Sequence, residues 1–246
     1  MLDVQGLTIR AGQNVLVNDL SLDLAEGRLT CLIGPSGCGK SSVIKWLAGV
    51  LAPELSVQGR VEIDGKSAHL PHSAIAYQPQ QNTLFPWLTI IENASIGLEI
   101  KGMTRTSAHQ KVCDLFPHFG LQGYEDAFPA QLSGGMRQRA AFLRTIVQDA
   151  RVLLLDEPFS ALDAVTRLQM QDWLIARLAE RPRAVLMVTH DLYEATQLAD
   201  RVLVMAGGPG RIVADIPITI PRAERTETTL ADIRSTLKSM LLKDTP

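Results

Sequence analysis

The stretch Gly34-Pro35-Ser36-Gly37-Cys38-Gly39-Lys40-Ser41 constrains this chain more than any other. A short apolar run at 29–33 precedes it, and Val43, Ile44, Leu47 and Ala48 follow it at helical spacing. Strand, glycine-rich loop and helix in that order make a phosphate cradle. Glycines let the backbone come close, so that several N–H groups converge on one anion. The helix that follows points its positive end at the same place. Lys40 is then placed to neutralise β- and γ-phosphate charge, and Ser41, with Ser42 beside it, to offer a hydroxyl to Mg²⁺. The plainer alternative is a glycine-rich turn that happens to precede a helix. The strand on one side and the helix on the other argue against it. Alone, the loop says only that the chain binds a nucleotide, as kinases and GTPases also do.

A second stretch, Val152-Leu153-Leu154-Leu155-Asp156-Glu157-Pro158, reads as a buried strand ending in two carboxylates. Ligands of parallel sheets bind at that edge. Asp156 suits a Mg²⁺ shell, and Glu157 suits the polarisation of an attacking water. Solvated acids capping a strand would look the same without the phosphate loop.

Leu132-Ser133-Gly134-Gly135-Met136-Arg137-Gln138-Arg139 narrows the class. Ser133 reads as the cap of a helix whose first turn holds Gly134 and Gly135, a second anion-gripping helix end. Two such ends on different lobes suggest one nucleotide sandwiched between two copies of the chain. An ordinary serine cap before a basic amphipathic helix is the alternative.

Elsewhere the chain alternates. Segments 2–10 and 15–24 read as half-buried strands, 59–65 as a strand and turn, and 184–188 and 202–205 as further buried strands. Helical patterns cover 106–119, 134–148, 164–180 and 191–199, and the tail turns helical through Leu230, Ile233, Leu237, Met240 and Leu241 before a solvated end. The order predicts an α/β core, residues 1–78 and 150–221, interrupted by a helical lobe at 79–149 and followed by a tail at 222–246. With 246 residues, 46% hydrophobic and 20% charged, the chain can bury a sizeable core. A net charge of −2 gives no electrostatic case for nucleic acid. No apolar run reaches the ~20 residues that span a bilayer, and no secretory signal is read at the start. Five scattered histidines show no metal-ligand spacing. Cys31, Cys38 and Cys113 form no CxxC pair and read as reduced thiols, Cys31 in the core and Cys38 open to alkylation.

In order and in kind, these motifs resemble the ABC ATPase family over nearly the whole chain. GPSGCGKS at 34–41 is similar to Walker A, LSGGMRQR at 132–139 to the signature and VLLLDEP at 152–158 to Walker B. Gln78 in Ala76-Tyr77-Gln78-Pro79-Gln80 resembles the Q-loop glutamine, Ser160-Ala161-Leu162-Asp163 the D-loop, and His190 in Val188-Thr189-His190-Asp191 the switch histidine. The resemblance implies a P-loop NTPase (RecA-like) core with an antiparallel β subdomain and an inserted α-helical subdomain. It implies ATP and Mg²⁺ as ligands, with Gln78 at the metal or the water and His190 on the γ-phosphate beside Glu157. It also implies Asp163 acting across a dimer interface, where Ser133, Gly134 and Gly135 complete the other copy's site. The implied partners are a second copy, polytopic membrane permease subunits reached through the Q-loop and helical lobe, and an extracytoplasmic solute-binding protein. No nucleic acid is implied, and the implied place is the cytoplasmic face of the cell membrane.

Two positions depart from the family pattern. Met136 stands where many members carry Gln, which leaves the Ser133 and backbone contacts intact. The aromatic that usually stacks on adenine is missing: Ala11 occupies the aligned position, with Arg10 and Val15 as the available substitutes. Weaker base discrimination follows as an expectation. The segment 82–93, with Leu84, Phe85, Trp87 and Leu88, is apolar for a loop and has two readings, a wall for a membrane subunit's helix or packing within the lobe. LFPWLT within it and Asn93, together with LSGGM, PFSALDAVTR and Ala206-Gly207-Gly208-Pro209-Gly210-Arg211-Ile212, resemble bacterial importers for nitrate, sulfonate, taurine and pyrimidine thiamine precursors, and the DEPFSALDA stretch leans toward the last of these. The two dozen or so residues after Pro221 are too few for an added β-barrel domain. A nucleic-acid or ribosome ATPase of the family would carry two motif sets or a long coiled coil, and a P-loop kinase would not explain LSGGMRQR.

Overall fold

The computed structural model describes residues 1–243, and the expected solvated end of the tail lies partly outside them. Two sheets form its frame. An antiparallel sheet runs β2-β1-β4-β5, with β1 Leu2–Ala11, β2 Asn14–Leu24, β4 Leu55–Ile63 and the short β5 Lys66–Ser67. A six-stranded sheet runs β10-β9-β3-β8-β7-β6. Its strands are β3 Leu29–Ile33, β6 Ile75–Gln78, β7 Val152–Asp156, β8 Ala184–Val188, β9 Arg201–Ala206 and β10 Arg211–Pro217. All neighbours pair in parallel except β10 and β9.

The strands β3, β7 and β8 are buried at every position, which is why they read as continuous apolar runs. Their side chains still alternate. Leu29, Cys31, Ile33, Leu153, Leu155, Val185 and Met187 face one core, shared with the helical lobe and the tail. Leu32, Val152, Leu154, Leu186 and Val188 face the other, shared with the antiparallel sheet and α1, Lys40–Leu47. The parallel sheet is therefore covered on both faces, and only its ends are free to carry chemistry.

The helical lobe contains α2 Ile90–Ile100, α3 Arg105–Cys113 and α4 Gly134–Ile146. Beyond it come α5 Ala164–Glu180, α6 Leu192–Leu198 and the tail helix α7 Glu227–Lys243. The expected helix at 106–119 is shorter: α3 stops at Cys113, and Phe116–Phe119 forms a separate 3₁₀ turn. Pro117 explains the break, since it lacks an N–H and crowds the preceding turn. The helix α2 was hidden in a segment that read as an apolar loop. Thr89 starts it with a capping box, its hydroxyl accepting from the Glu92 amide while the Glu92 carboxylate accepts from the Thr89 amide. The tail buries Leu230 and Leu237 in the core beneath it. No helix among the described residues is long and apolar enough to cross a membrane.

Candidate functional site

The loop 34–39 leaves β3 at its C-terminal end and closes over the start of α1. Gly39 caps α1 with φ 101° and no side-chain hydrogen bond, so the first amides of the helix are left to an outside acceptor. A side chain at Gly39 would meet Val17 at 2.8 Å, and one at Gly34 would meet the carbonyl of Met205 at 2.3 Å. Lys40 is nearly buried, and its ammonium donates to the carbonyls of Gly34 and Pro35, each at 2.8 Å. Cys38 corrects an expectation. Its thiol is buried, lying 3.7 Å from Lys40 Nζ, and a side chain at Gly207 would meet its Cβ at 3.7 Å. The loop turns Cys38 inward, so a reagent in solvent does not reach it.

Asp156 ends β7 with 1% of its surface exposed, and its Oδ1 is buried without a hydrogen-bond partner. Burial raises the pKa of this carboxyl and the neighbouring Glu157 charge adds to that, while Lys45, the Ser41 hydroxyl and Lys40 pull it down. An orphaned carboxylate oxygen beside a serine hydroxyl is a hard-oxygen donor set that fits Mg²⁺. No group of three or more His, Cys, Asp or Glu among the described residues could hold a metal unaided.

Glu157 follows with φ 47°, a left-handed backbone that a non-glycine residue adopts at a cost of roughly 1–3 kcal/mol. Its amide donates to the carbonyl of Val188 at 2.9 Å, and its own carbonyl accepts from the Ser160 hydroxyl at 3.0 Å. Both carboxylate oxygens are engaged. Oε1 lies 3.3 Å from His190 Nδ1, and Oε2 accepts from Gln80 Nε2 at 3.0 Å. His190 leaves the end of β8 just before Asp191, the N-cap of α6.

Gln80 is the residue that sequence reasoning missed, and Gln78 is the one it misplaced. Gln78 is fully buried, with its Oε1 accepting from the Thr145 hydroxyl at 2.8 Å and its amide nitrogen turned to the Pro79 carbonyl. It faces α4 rather than Glu157. The signal lay in register: Gln78 pairs with Leu155, so only residues after it lie level with Asp156 and Glu157. Pro79 then ends the strand and carries Gln80 past the sheet edge.

Ser133 caps α4 by accepting from the Met136 amide at 3.2 Å. Its turn lies beside the segment that follows Glu157. A side chain at Gly135 would lie 3.7 Å from the Ala161 carbonyl, and Gln138 reaches back to the Pro158 carbonyl at 3.2 Å. Asp163 caps α5, accepting from the Thr166 amide at 3.0 Å, and that bond holds its carboxyl below the usual range. Gly34 to Ser42, Asp156, Glu157 and His190 thus gather at the ends of β3, β7 and β8. Ser133, Gly134 and Asp163 are exposed, and Gly135 is half-buried beside Ala161 and Leu162.

The segment after Gln80 does both things expected of it. Leu84 is buried in the lobe, whereas Trp87 is 70% exposed with Phe85 5.5 Å away, ring to ring. Asn93, fully buried, grips the turn through the Phe85 amide and the carbonyls of Phe85, Leu88 and Thr89. Arg144 fastens it from α4 at the carbonyls of Asn82 and Thr83. A cleft of about 600 Å³ lies alongside, between Tyr77, Gln80, Thr83 and Arg144.

Comparison with known proteins gives this arrangement a family. The profile of the ABC transporter family matches residues 17–160. An uncharacterized ABC transporter ATP-binding protein of Methanocaldococcus jannaschii is 37% identical over 226 residues, covering 92% of this chain and 84% of that protein. A taurine import ATP-binding protein of Pseudomonas aeruginosa is 38% identical over 226 residues, covering 92% and 85%. Among solved structures, a dimeric ATP-binding cassette in a post-hydrolysis state with ADP and Pi superposes with a TM-score of 0.79 at 24% identity, covering 90% of this chain and 100% of that one. The ATP-binding subunit of an ABC transporter superposes with a TM-score of 0.81 at 23% identity, covering 98% and 99%. The expected P-loop core with its antiparallel sheet and helical lobe is the fold observed, and the chain belongs to the ABC transporter family.

Proposed function

We propose that this chain is the ATP-binding and ATP-hydrolysing subunit of a bacterial importer for a small solute of the nitrate, sulfonate, taurine or pyrimidine thiamine-precursor type. Two copies work beneath polytopic permease subunits at the cytoplasmic face of the membrane, with an extracytoplasmic protein delivering the solute. The observation that carries the chemistry is the Glu157 carboxylate, held between Gln80 and His190 at the end of β7. Family membership and the 38% identical taurine import protein support the transport reading.

In this reading the amides of 34–42 and the Lys40 ammonium bind the ATP phosphates. Ser41 and Asp156 hold Mg²⁺, which when bound offsets phosphate charge. Glu157 orients and deprotonates the attacking water, and His190 and Gln80 fix the direction of its carboxylate. Gln80 takes the role first assigned to Gln78. Ser133, Gly134 and Gly135 of one copy close on the nucleotide of its mate, with Asp163 at the same interface. The exposure of Ser133, Gly134 and Asp163 supports that arrangement. The Phe85–Trp87 turn meets the permease, since a rigid exposed aromatic pair is a suitable anchor. The charge balance gives no support to a nucleic-acid partner.

Glu157→Gln tests the reading. Hydrolysis should fall by about 10²–10⁴-fold, with an ATP-bound dimer accumulating on size exclusion. Wild-type turnover would overturn the base assignment.

A further inference from the structure

Two helices leave the sheet edge beside Glu157: α5 behind Asp163, and α6 behind Asp191. Two polar pairs tie them together. Gln171 on α5 donates to Glu194 Oε1 on α6 at 2.9 Å, and both side chains are buried. One turn closer to the site, Arg167 reaches in two directions. Its Nη2 donates to the Leu162 carbonyl at 3.2 Å, and its Nη1 lies 3.8 Å from Asp191 Oδ2. Asp191 Oδ1 meanwhile accepts the amides of Tyr193 and Glu194, so one carboxylate both starts α6 and faces the guanidinium. Arg167, Asp191 and Glu194 wall a cavity of about 60 Å³ whose other side is Glu157 and His190.

The pairs differ in character. The buried Gln171–Glu194 bond serves as a clasp between the helices. The Arg167–Asp191 pair is longer and about one-third exposed on each side, a geometry that adds little to stability. Its reach is what sets it apart. A planar fork can hold a carbonyl and a carboxylate in fixed relation, which a lysine cannot. The two groups it spans belong to the 160–163 loop and to the residue next to His190.

We propose that Arg167 is a positioning residue for hydrolysis, setting the placement of His190 by the placement of the 160–163 loop. The inference rests on the Glu157–His190 reading above. In the paired molecule that loop faces the second copy, so arrival of the mate is relayed to His190 within the same protomer.

The test is steady-state Mg-ATP hydrolysis by the purified full chain. Arg167→Gln should lower kcat about tenfold with KM within about twofold, and should leave the melting temperature in place. Asp191→Asn keeps the helix cap and removes only the charge, and should slow turnover equally. The double variant should be no slower than the slower single, because both remove one link. Arg167→Lys should fall between wild type and Arg167→Gln. If Arg167→Gln does not fold, Arg167→Lys and Asp191→Asn decide the matter. Wild-type kcat in these variants, multiplying losses in the double, or a loss of kcat that follows a loss of thermal stability would overturn the proposal. Glu157→Gln separates the two levels: slow Glu157→Gln with normal Arg167→Gln sinks this inference alone, and normal Glu157→Gln sinks the reading beneath it.

Discussion

Gln80 and Glu157 lie 77 residues apart in the chain and meet at 3.0 Å across the end of the parallel sheet. With His190 on the other oxygen, that contact leaves the carboxylate one orientation. Gln80→Ala should therefore reduce kcat by about 10–100-fold with the fold intact. Gln78→Ala should do the reverse. It removes the shortest of the Thr145 hydroxyl's three contacts and empties a fully buried side-chain site, and should destabilise the fold by about 1–3 kcal/mol, with kcat lowered less than about twofold. Parallel turnover and denaturant measurements on the two variants check the assignment.

Ala11, expected from the family resemblance to stand where an aromatic stacks on adenine, ends β1 opposite Asn14 and Leu55. GTP should be hydrolysed with kcat/KM within about tenfold of ATP, because without base stacking binding rests mainly on the triphosphate that the two nucleotides share. Ala11→Tyr should restore about 0.5–1.5 kcal/mol of stacking and tighten ATP binding about 2–10-fold. A strong ATP preference in the unaltered chain would count against the expectation.

Trp87 stands out from a turn held rigid by Asn93 and Arg144. Trp87→Ala should weaken association with detergent-solubilised permease by about 2 kcal/mol, or roughly thirtyfold, the scale of an aromatic anchor. Titration of labelled permease measures it. Asn93→Ala should weaken the same association by freeing the turn, without removing the indole.

Burial raises the pKa of the Glu194 carboxyl, Asp191 adds to the shift, and the Thr189 and Gln171 hydrogen bonds and Arg167 oppose it. A carboxyl raised on folding contributes most below its unfolded pKa, and that contribution is lost as pH rises through the folded value. Glu194→Gln removes the titration. Relative to wild type, its melting temperature should rise as pH increases from about 4 to 8, with the difference smallest at the acid end. A constant difference across that range would exclude burial of a titrating group as the cause.

What could be read from the sequence was whatever depends on local order. A buried parallel strand is a short apolar run, so β3, β7 and β8 showed themselves, and the glycine-rich loop between β3 and α1 announced its use of backbone. The helix α5 was visible end to end from its spacing, whereas its Asp163 cap was not read. Neighbourhood in space was not visible. Gln78 and Gln80 look equivalent on paper, and only the pairing of Gln78 with Leu155 separates them. Cys38 looked exposed because its loop is glycine-rich, yet its thiol is buried beside the Lys40 ammonium. The strand β10 lies at the sheet edge, is buried nowhere and carries Arg211, Asp215 and Pro217, so no apolar run marks it in the sequence. The helix α2 begins within a cluster of aromatics and leucines that obscured its Thr89 cap.

The φ of 47° at Glu157 has a consequence for how this protein can fail. Replacement by glycine would relax the main chain at the very spot where the carboxylate is needed. The altered protein would fold at least as well and stand up to heat and protease as well as the original. An assay of abundance or solubility would pass it; only turnover would betray the loss.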